Sequence, residues 1–224
     1  MTFEVGDARE VAAFWAGLLE RDVLAESGGA LVSGDETQVG LRFVTSDTDQ
    51  VGPRRLHLHL TSSSPQDQQR TVENALRLGG RHIDVGQVPD DKFVVLADPG
   101  GNELCVIEPD NSFLADTGYL GEVTCAGTRD VGLFWRDALE WPLVWDENQE
   151  TAVQSPLGGT KVSWGGQPAE SKHARNRQRF DLLTADPSRE IEVLVSLGAT
   201  FLTDLVDGVE LADRDGNEFG LRAG

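Results

Sequence analysis

The sequence predicts an α+β fold of four βαβββ modules, and three observations carry that prediction. The phrase V-L-A-D-P-G-G-N-E-L-C at Val95–Cys105 returns as E-L-A-D-R-D-G-N-E-F-G at Glu210–Gly220. Upstream, V-A-A-F-W-A-G-L-L-E at Val11–Glu20 returns as V-G-L-F-W-R-D-A-L-E at Val131–Glu140. Both pairs recur in the same order, at a period of roughly 115–120 residues, so the chain is a tandem duplication. Within each copy, strand–helix–strand–strand–strand patterning occurs twice.

The elements follow in order. Phe3–Val5 is a short strand, and Asp7 caps a helix whose apolar residues Val11, Ala12, Phe14, Trp15, Leu18 and Leu19 keep helical spacing. Strands are expected at 22–26, 30–33 and 38–44, divided by Gly28-Gly29 and Gly34-Asp35. A polar linker, Ser46–Pro53, closes the first module. Arg55–Thr61, R-L-H-L-H-L-T, alternates as a half-buried strand does. Ser62–Ser64 with Pro65 starts a second helix carrying Val72, Ala75, Leu76 and Leu78, and Gly79-Gly80 ends it. Strands 81–85, 93–97 and 102–107 follow, with D-P-G-G as the last hairpin turn. Copy two repeats the plan at 121–164 and 179–222. The expected domains are 1–110, with modules at about 1–45 and 54–108, and 118–224, with modules at about 119–165 and 178–223.

The chain has 224 residues, 39% of them hydrophobic, and a formal charge of −19. A surface this acidic repels phosphate backbones and anionic membranes, which excludes nucleic acid and membrane as expected partners. No apolar run approaches the ~20 residues a membrane span needs. Met1-Thr2-Phe3-Glu4 lacks the basic and apolar segments of a signal peptide, so a cytoplasmic location is expected. Cys105 and Cys125 lie at non-equivalent places in the two copies and read as buried free thiols. One local exception to the acidity is the run Lys172, His173, Arg175, Arg177 and Arg179, with Arg54-Arg55 as its shorter counterpart. It reads either as a solvated linker or as a rim that attracts an anionic ligand. There is no G-x-G-x-x-G after a strand and no P-loop.

A tandem βαβββ plan with an F-W-x-x-L-L helix and a D-P-x-G-N-E-[LF]-C hairpin resembles the vicinal oxygen chelate superfamily. More closely, it is similar to the glyoxalase-like domains of the glyoxalase/bleomycin resistance/dioxygenase type. In copy one the resemblance rests on Asp7, Phe14-Trp15, Leu18-Leu19, His57, Leu78-Gly79, Asp98-Pro99 and Gly101–Cys105; in copy two on Phe134-Trp135, Leu139, Leu197–Ala199, Asp213 and Gly216–Phe219. It implies paired modules whose eight strands curl around a ligand-binding cup. In enzymatic members one divalent metal is held there by three or four His, Glu or Gln side chains; binding-only members keep the cup without the metal.

Placed by spacing, the family's first ligand position falls at or before Met1 in copy one and on Leu120 or Gly121 in copy two. The second-module strand position falls on His57 and Asp181. The last-strand position, usually a carboxylate, falls on Cys105 and Gly220. The usual metal site is therefore expected to be lost, and no cofactor is expected. The alternative is a single divalent ion (Zn, Fe, Mn, Ni or Mg) on His57 with Glu103 or Cys105, since alternation puts His57 with His59, and Glu103 with Cys105, on common faces. His59 and Glu103 otherwise read as cavity lining, and Glu103 and Glu218 could equally hydrogen-bond within their hairpins. Cys105 beside His57 could form a nucleophile pair, although Gly220 and Asp181 stand at those places in copy two. Asp181 and Glu218 are candidate acid–base carboxylates or recognition groups for a cationic ligand. Trp15 and Trp135 read as core; Trp145 and Trp164 read as core or as the aromatic wall of a cup.

The expected function is binding of a small organic molecule, a drug or aromatic metabolite, without the usual metal. The alternatives are a metal-dependent lyase, isomerase or dioxygenase of the same fold, a metal-free acid–base enzyme, and a structural protein with filled cups. The duplication supplies an internal pseudo-dimer, so a monomer is expected ahead of a homodimer.

Overall fold

The computed structural model describes residues 1–47, 54–88, 90–165 and 174–224. Lys172 and His173 of the basic run, and residues 48–53 of the first linker, lie outside the described residues. The described residues form two eight-stranded sheets and four α-helices. No helix among the described residues is long and apolar enough to cross a membrane.

Module 1 is β1 (Thr2–Val5), α1 (Ala8–Leu19), β2 (Val23–Glu26), β3 (Gly29–Val32) and β4 (Leu41–Thr45). Module 2 is β5 (Leu56–Leu60), α2 (Pro65–Arg77), β6 (Arg81–His82), β7 (Val94–Ala97) and β8 (Glu103–Val106). A 3-10 turn at Ser112–Leu114 lies in the connection to copy two. Module 3 is β9 (Leu120–Ala126), α3 (Arg129–Leu139), β10 (Leu143–Glu147), β11 (Glu150–Gln154) and β12 (Lys161–Gly165). Module 4 is β13 (Gln178–Thr184), α4 (Pro187–Leu197), β14 (Thr200–Leu205), β15 (Gly208–Ala212) and β16 (Glu218–Ala223). The caps follow the local sequence: Asp7 accepts from the N–H groups of Arg9 and Glu10 at the start of α1, and Ser64 and Asp186 cap helices that begin with Pro65 and Pro187.

Module pairing departs from sequence order. The order suggests that neighbouring modules share a sheet, but one sheet runs β14-β15-β16-β13-β1-β4-β3-β2 and the other β10-β11-β12-β9-β5-β8-β7-β6. Module 1 is thus continuous with module 4, and module 2 with module 3. The joints are antiparallel: Thr2 opposite Arg179 and Phe3 opposite Gln178 in one, Leu56 opposite Cys125 and Leu58 opposite Val123 in the other. The physical reason lies in what each half does with its other surfaces. Modules 1 and 2 pack helix against helix, with Gly17 close under the Leu78 side chain, and the turn at Gly100 lies against Val5 and Val11. That leaves the open edge of each module's first strand to the opposite half, and the cups form between the halves.

One core runs through both sheets. Phe3, Phe14, Trp15 and Phe43 anchor it in the first half, and Phe134, Trp135, Trp164 and Phe219 in the second. Cys105 and Cys125 are both free and buried.

Candidate functional site

The alternation of R-L-H-L-H-L-T decides the main site. Leu56, Leu58 and Leu60 enter the core, which turns His57 and His59 to the opposite face of β5. On β8, Cys105 sits in register with His59; on β9, Glu122 opposes His59 and Thr124 opposes His57; on β12, Ser163 stands beside Thr124. His57, His59, Glu122, Thr124 and Ser163 form the floor of a cup of about 740 Å³ between modules 2 and 3, with Cys105 buried beside His59. Its rim carries Trp145 from β10, packed edge-on against Phe113 of the 3-10 turn with ring centroids 5.7 Å apart. Lys161 Nζ lies 4.6 Å from the Phe113 ring centroid.

The floor is a hydrogen-bonded chain. Glu122 Oε2 stands 2.6 Å from His59 Nδ1, and Ser163 Oγ donates to the other oxygen, Oε1. Ser163 Oγ lies 3.2 Å from Thr124 Oγ1. Burial pushes the Glu122 carboxyl up, but the hydrogen bond and charge of His59, with the Ser163 and Thr124 hydroxyls, outweigh it and leave the group below its ordinary value. With Nδ1 committed to a carboxylate, His59 keeps Nε2 as its free nitrogen. His57 packs on His59 with ring centroids 4.8 Å apart, and its Nδ1 is 4.0 Å from Glu103 Oε1. Burial, then repulsion from His59, pulls His57 down to about 4, so its imidazole is neutral at neutral pH. Burial raises Glu103, and burial together with Glu103 and Glu122 pushes the Cys105 thiol up to about 12.

One atom each from His57, His59 and Cys105 lies within 4.8 Å of the others, so two imidazoles and a thiol converge. That donor set suits a zinc-like ion better than a hard, oxygen-seeking one. The Glu122–His59 bond supplies the carboxylate support that metal-bound imidazoles commonly have. A protonated Cys105 thiol would have to release its proton to join such a site. It is also no poised nucleophile at neutral pH.

The structure thus brings His57, His59, Glu103, Cys105 and Trp145 together. Trp164 is only 2% exposed, and its ring stacks on Trp135 at 6.1 Å and 8°. It is a core residue, on the face of β12 opposite Ser163, and it adjoins both this cup and the cavity beside the other sheet. Asp181 and Glu218 lie on the other sheet, away from the histidines. Asp181 Oδ2 accepts from Thr2 Oγ1, its Oδ1 is 3.4 Å from Arg222 Nε, and Glu218 Oε2 accepts from the Asn176 N–H. The polar groups there are engaged with one another: Glu4 takes Arg175 and Arg179, Glu210 takes Arg175, and Glu26 takes Arg42. A second cavity, of about 390 Å³, adjoins that sheet; it is walled by Trp135, Trp141, Trp164, Phe180 and Leu182, with Arg42 and Asp181 as its charged groups.

Glu122, Ser163 and Phe113 escape the sequence reading. The family's first position in copy two is expected on Leu120 or Gly121; the side chain that β9 turns into the cup beside it is Glu122. The register between β5 and β9 shifts between His59 and Leu60, opposite Glu122 and Leu120, so a spacing count lands one or two residues short. The inward alternation of Glu122 and Thr124 with Val123 and Cys125 is the signal that would have found it.

A family profile described as Glyoxalase-like domain matches residues 1–107 and 122–222. The chain belongs to the glyoxalase-like domain family. Glyoxalase I from Zea mays is similar in fold, with a TM-score of 0.72 at 14% identity over 99% of this chain and 90% of that one. A putative dioxygenase from Bacillus subtilis has a TM-score of 0.60 at 13% identity, over 100% of this chain and 83% of that one. No curated protein matches the sequence. At these identities the likeness to solved structures is one of fold: the glyoxalase-like arrangement of paired modules around a cup.

Proposed function

We propose that this glyoxalase-like protein binds a small organic molecule in the cup between modules 2 and 3. The observation that carries the reading is the pairing of an open, aromatic-rimmed cavity with a polar floor fixed by the His59–Glu122–Ser163 chain. Trp145, 38% exposed, offers a face for stacking, and His57 and His59 offer nitrogens to an oxygen-bearing ligand. A cavity of this size also speaks against the structural reading with filled cups. The test is titration with a panel of aromatic and oxygen-rich metabolites, followed by tryptophan fluorescence. Saturable quenching that disappears in Trp145→Leu and weakens in His59→Gln is expected; no saturable response to any member of the panel would overturn the reading.

The convergence of His57, His59 and Cys105 favours a second reading, in which the cup holds one divalent ion. Bound there, such an ion would polarise an oxygen of the ligand. His59 would contribute Nε2 while Glu122 holds Nδ1, and Glu103 would stand near His57 as a further carboxylate. The glyoxalase I and dioxygenase names of the structural neighbours are in keeping with this enzymatic alternative. Elemental mass spectrometry of dialysed protein separates the two readings. One ion per chain, lost in His57→Ala, supports the second; metal near zero supports ligand binding alone.

A further inference from the structure

Three arginines meet in the seam between the halves, and among the described residues none of them forms an ion pair. Arg54 precedes β5, Arg177 precedes β13, and Arg81 opens β6. The Nη2 atoms of Arg54 and Arg81 stand 3.1 and 3.2 Å from the point where a side chain on Gly101 would begin. The two guanidinium groups therefore flank the one residue of the hairpin turn that leaves room for them, and Gly101 holds a φ of 80° that favours glycine. Arg177 belongs to the same seam. Its neighbour Gln178 donates Nε2 to Asn102 Oδ1 at 3.1 Å, next to Gly101. Arg177 and Arg81 both lie close enough to Arg54 to repel its charge.

The groups that would normally neutralise such a cluster are committed elsewhere. Asp98 and Glu103 are the acids nearest Arg54. The Asp98 carboxylate accepts from Trp15 and Asn102, and Glu103 faces His57. Arg81 donates to the Asp98 carbonyl at 3.1 Å, which carries no full charge. Nε and Nη2 of Arg177 are buried and have no hydrogen-bond partner. Among the described residues, no carboxylate forms an ion pair with Arg54, Arg81 or Arg177, whereas Arg42, Arg129, Arg175, Arg179 and Arg222 all have one. In a chain with 38 acidic and 19 basic side chains, three neighbouring guanidinium groups without an ion pair stand out. Arg54 and Arg81 are exposed to solvent, but the two buried Arg177 donors have no such recourse, and burying donors unpaired is costly unless something supplies acceptors.

We propose that Arg54, Arg81 and Arg177 form a binding site for an oxyanion, a carboxylate or phosphate group. The forked N–H donors of arginine match both. Because Arg54 also lines the cup, the anion is either free in solution or the anionic end of a molecule seated in the cup. The site does not require the cup reading to hold. The charge of −19 opposes adventitious anion binding, so an anion that binds must be drawn by a local feature.

The test is calorimetric titration of the whole chain, at low ionic strength, with inorganic phosphate and separately with benzoate. The variants are Arg177→Gln and the double variant Arg54→Gln/Arg81→Gln, with thermal midpoints recorded to show that they fold. The expected result is saturable binding of at least one anion, weakened ten-fold or more in both variants and in raised salt. Phosphate binding with no change in tryptophan fluorescence identifies a free-anion site. Benzoate binding that competes with phosphate and quenches Trp145 identifies the anionic end of a cup ligand. Binding of neither anion, or binding unchanged in folded variants, overturns the proposal. A positive phosphate result with no Trp145 response to any aromatic ligand would leave this site standing while the cup reading fails.

Discussion

The indole Nε1–H of Trp15 donates to Asp98 Oδ2 at 2.8 Å across 83 residues, and Trp135 repeats the bond to Asp213 at 3.2 Å. The two recurrent phrases of the sequence, F-W on the first helix and D-x-x-G-N at the last hairpin, are therefore two ends of one contact. Each aspartate also accepts from the backbone and side chain of the asparagine four residues on, which closes the turn. Burial raises both carboxyls, and these donors pull against it.

Removing that acceptor should destabilise the chain strongly. Asp98→Ala strands the Trp15 indole N–H and two Asn102 donors in the core, at a cost of about 3 kcal/mol. Asp98→Asn, which keeps an acceptor, should cost less. Urea unfolding of both variants checks the order; equal midpoints for Asp98→Ala and the parent would refute it.

The neutral burial of His57 sets a pH dependence in chelator-treated protein. Its folded value of about 4 lies below the 6.5 of the free side chain. As pH falls between those values, the unfolded chain binds a proton that the folded chain does not. Stability from this group is thus present above pH ~6.5 and is lost towards pH ~4, by at most about 3 kcal/mol. Denaturant midpoints for the parent and His57→Gln should diverge in that window, with the variant flatter.

Glu122 should act through His59. Glu122→Gln keeps the shape but removes the charge that fixes the His59 ring, so binding in the cup should weaken by about ten-fold, the scale of one lost charge-assisted hydrogen bond. The His59 side-chain N–H resonance should shift while the far-ultraviolet dichroism stays unchanged. Unaltered binding would show that the pair is only packing.

The two tryptophans first read alike should separate. Trp164→Leu opens a void against Trp135 and Phe180, and should cost about 3 kcal/mol or more. Trp145→Leu, at the rim, should change stability by less than about 1 kcal/mol and report on ligand instead. Thermal melts and ligand titrations of the two variants provide the comparison.

The candidate site was legible in part. His57, His59, Glu103 and Cys105 were found because strand alternation is a local rule, readable from R-L-H-L-H-L-T and N-E-L-C-V. Glu122 was missed because a register shift between β5 and β9 spoils a spacing count, and only its alternation with Val123 and Cys125 marks it locally. Phe113 lies in a polar connection, and nothing in its neighbourhood marks it as the partner of Trp145. The clustering of Arg54, Arg81 and Arg177 spans 123 residues and depends on how the seam closes.

By itself the sequence determined the modules: their number, their strand and helix order, the helix caps and the face each side chain takes. Those follow from periodicity and turn chemistry within about 50 residues, where the covalent chain limits the choices. The tertiary structure decided which modules share a sheet, and hence which residues share a cup. Sequence order favours modules 1 and 2 as sheet partners, yet helix packing and the Trp15–Asp98 bond already occupy the surfaces between them. The free strand edges then pair across the halves, and the histidines of copy one find their carboxylate, Glu122, in copy two.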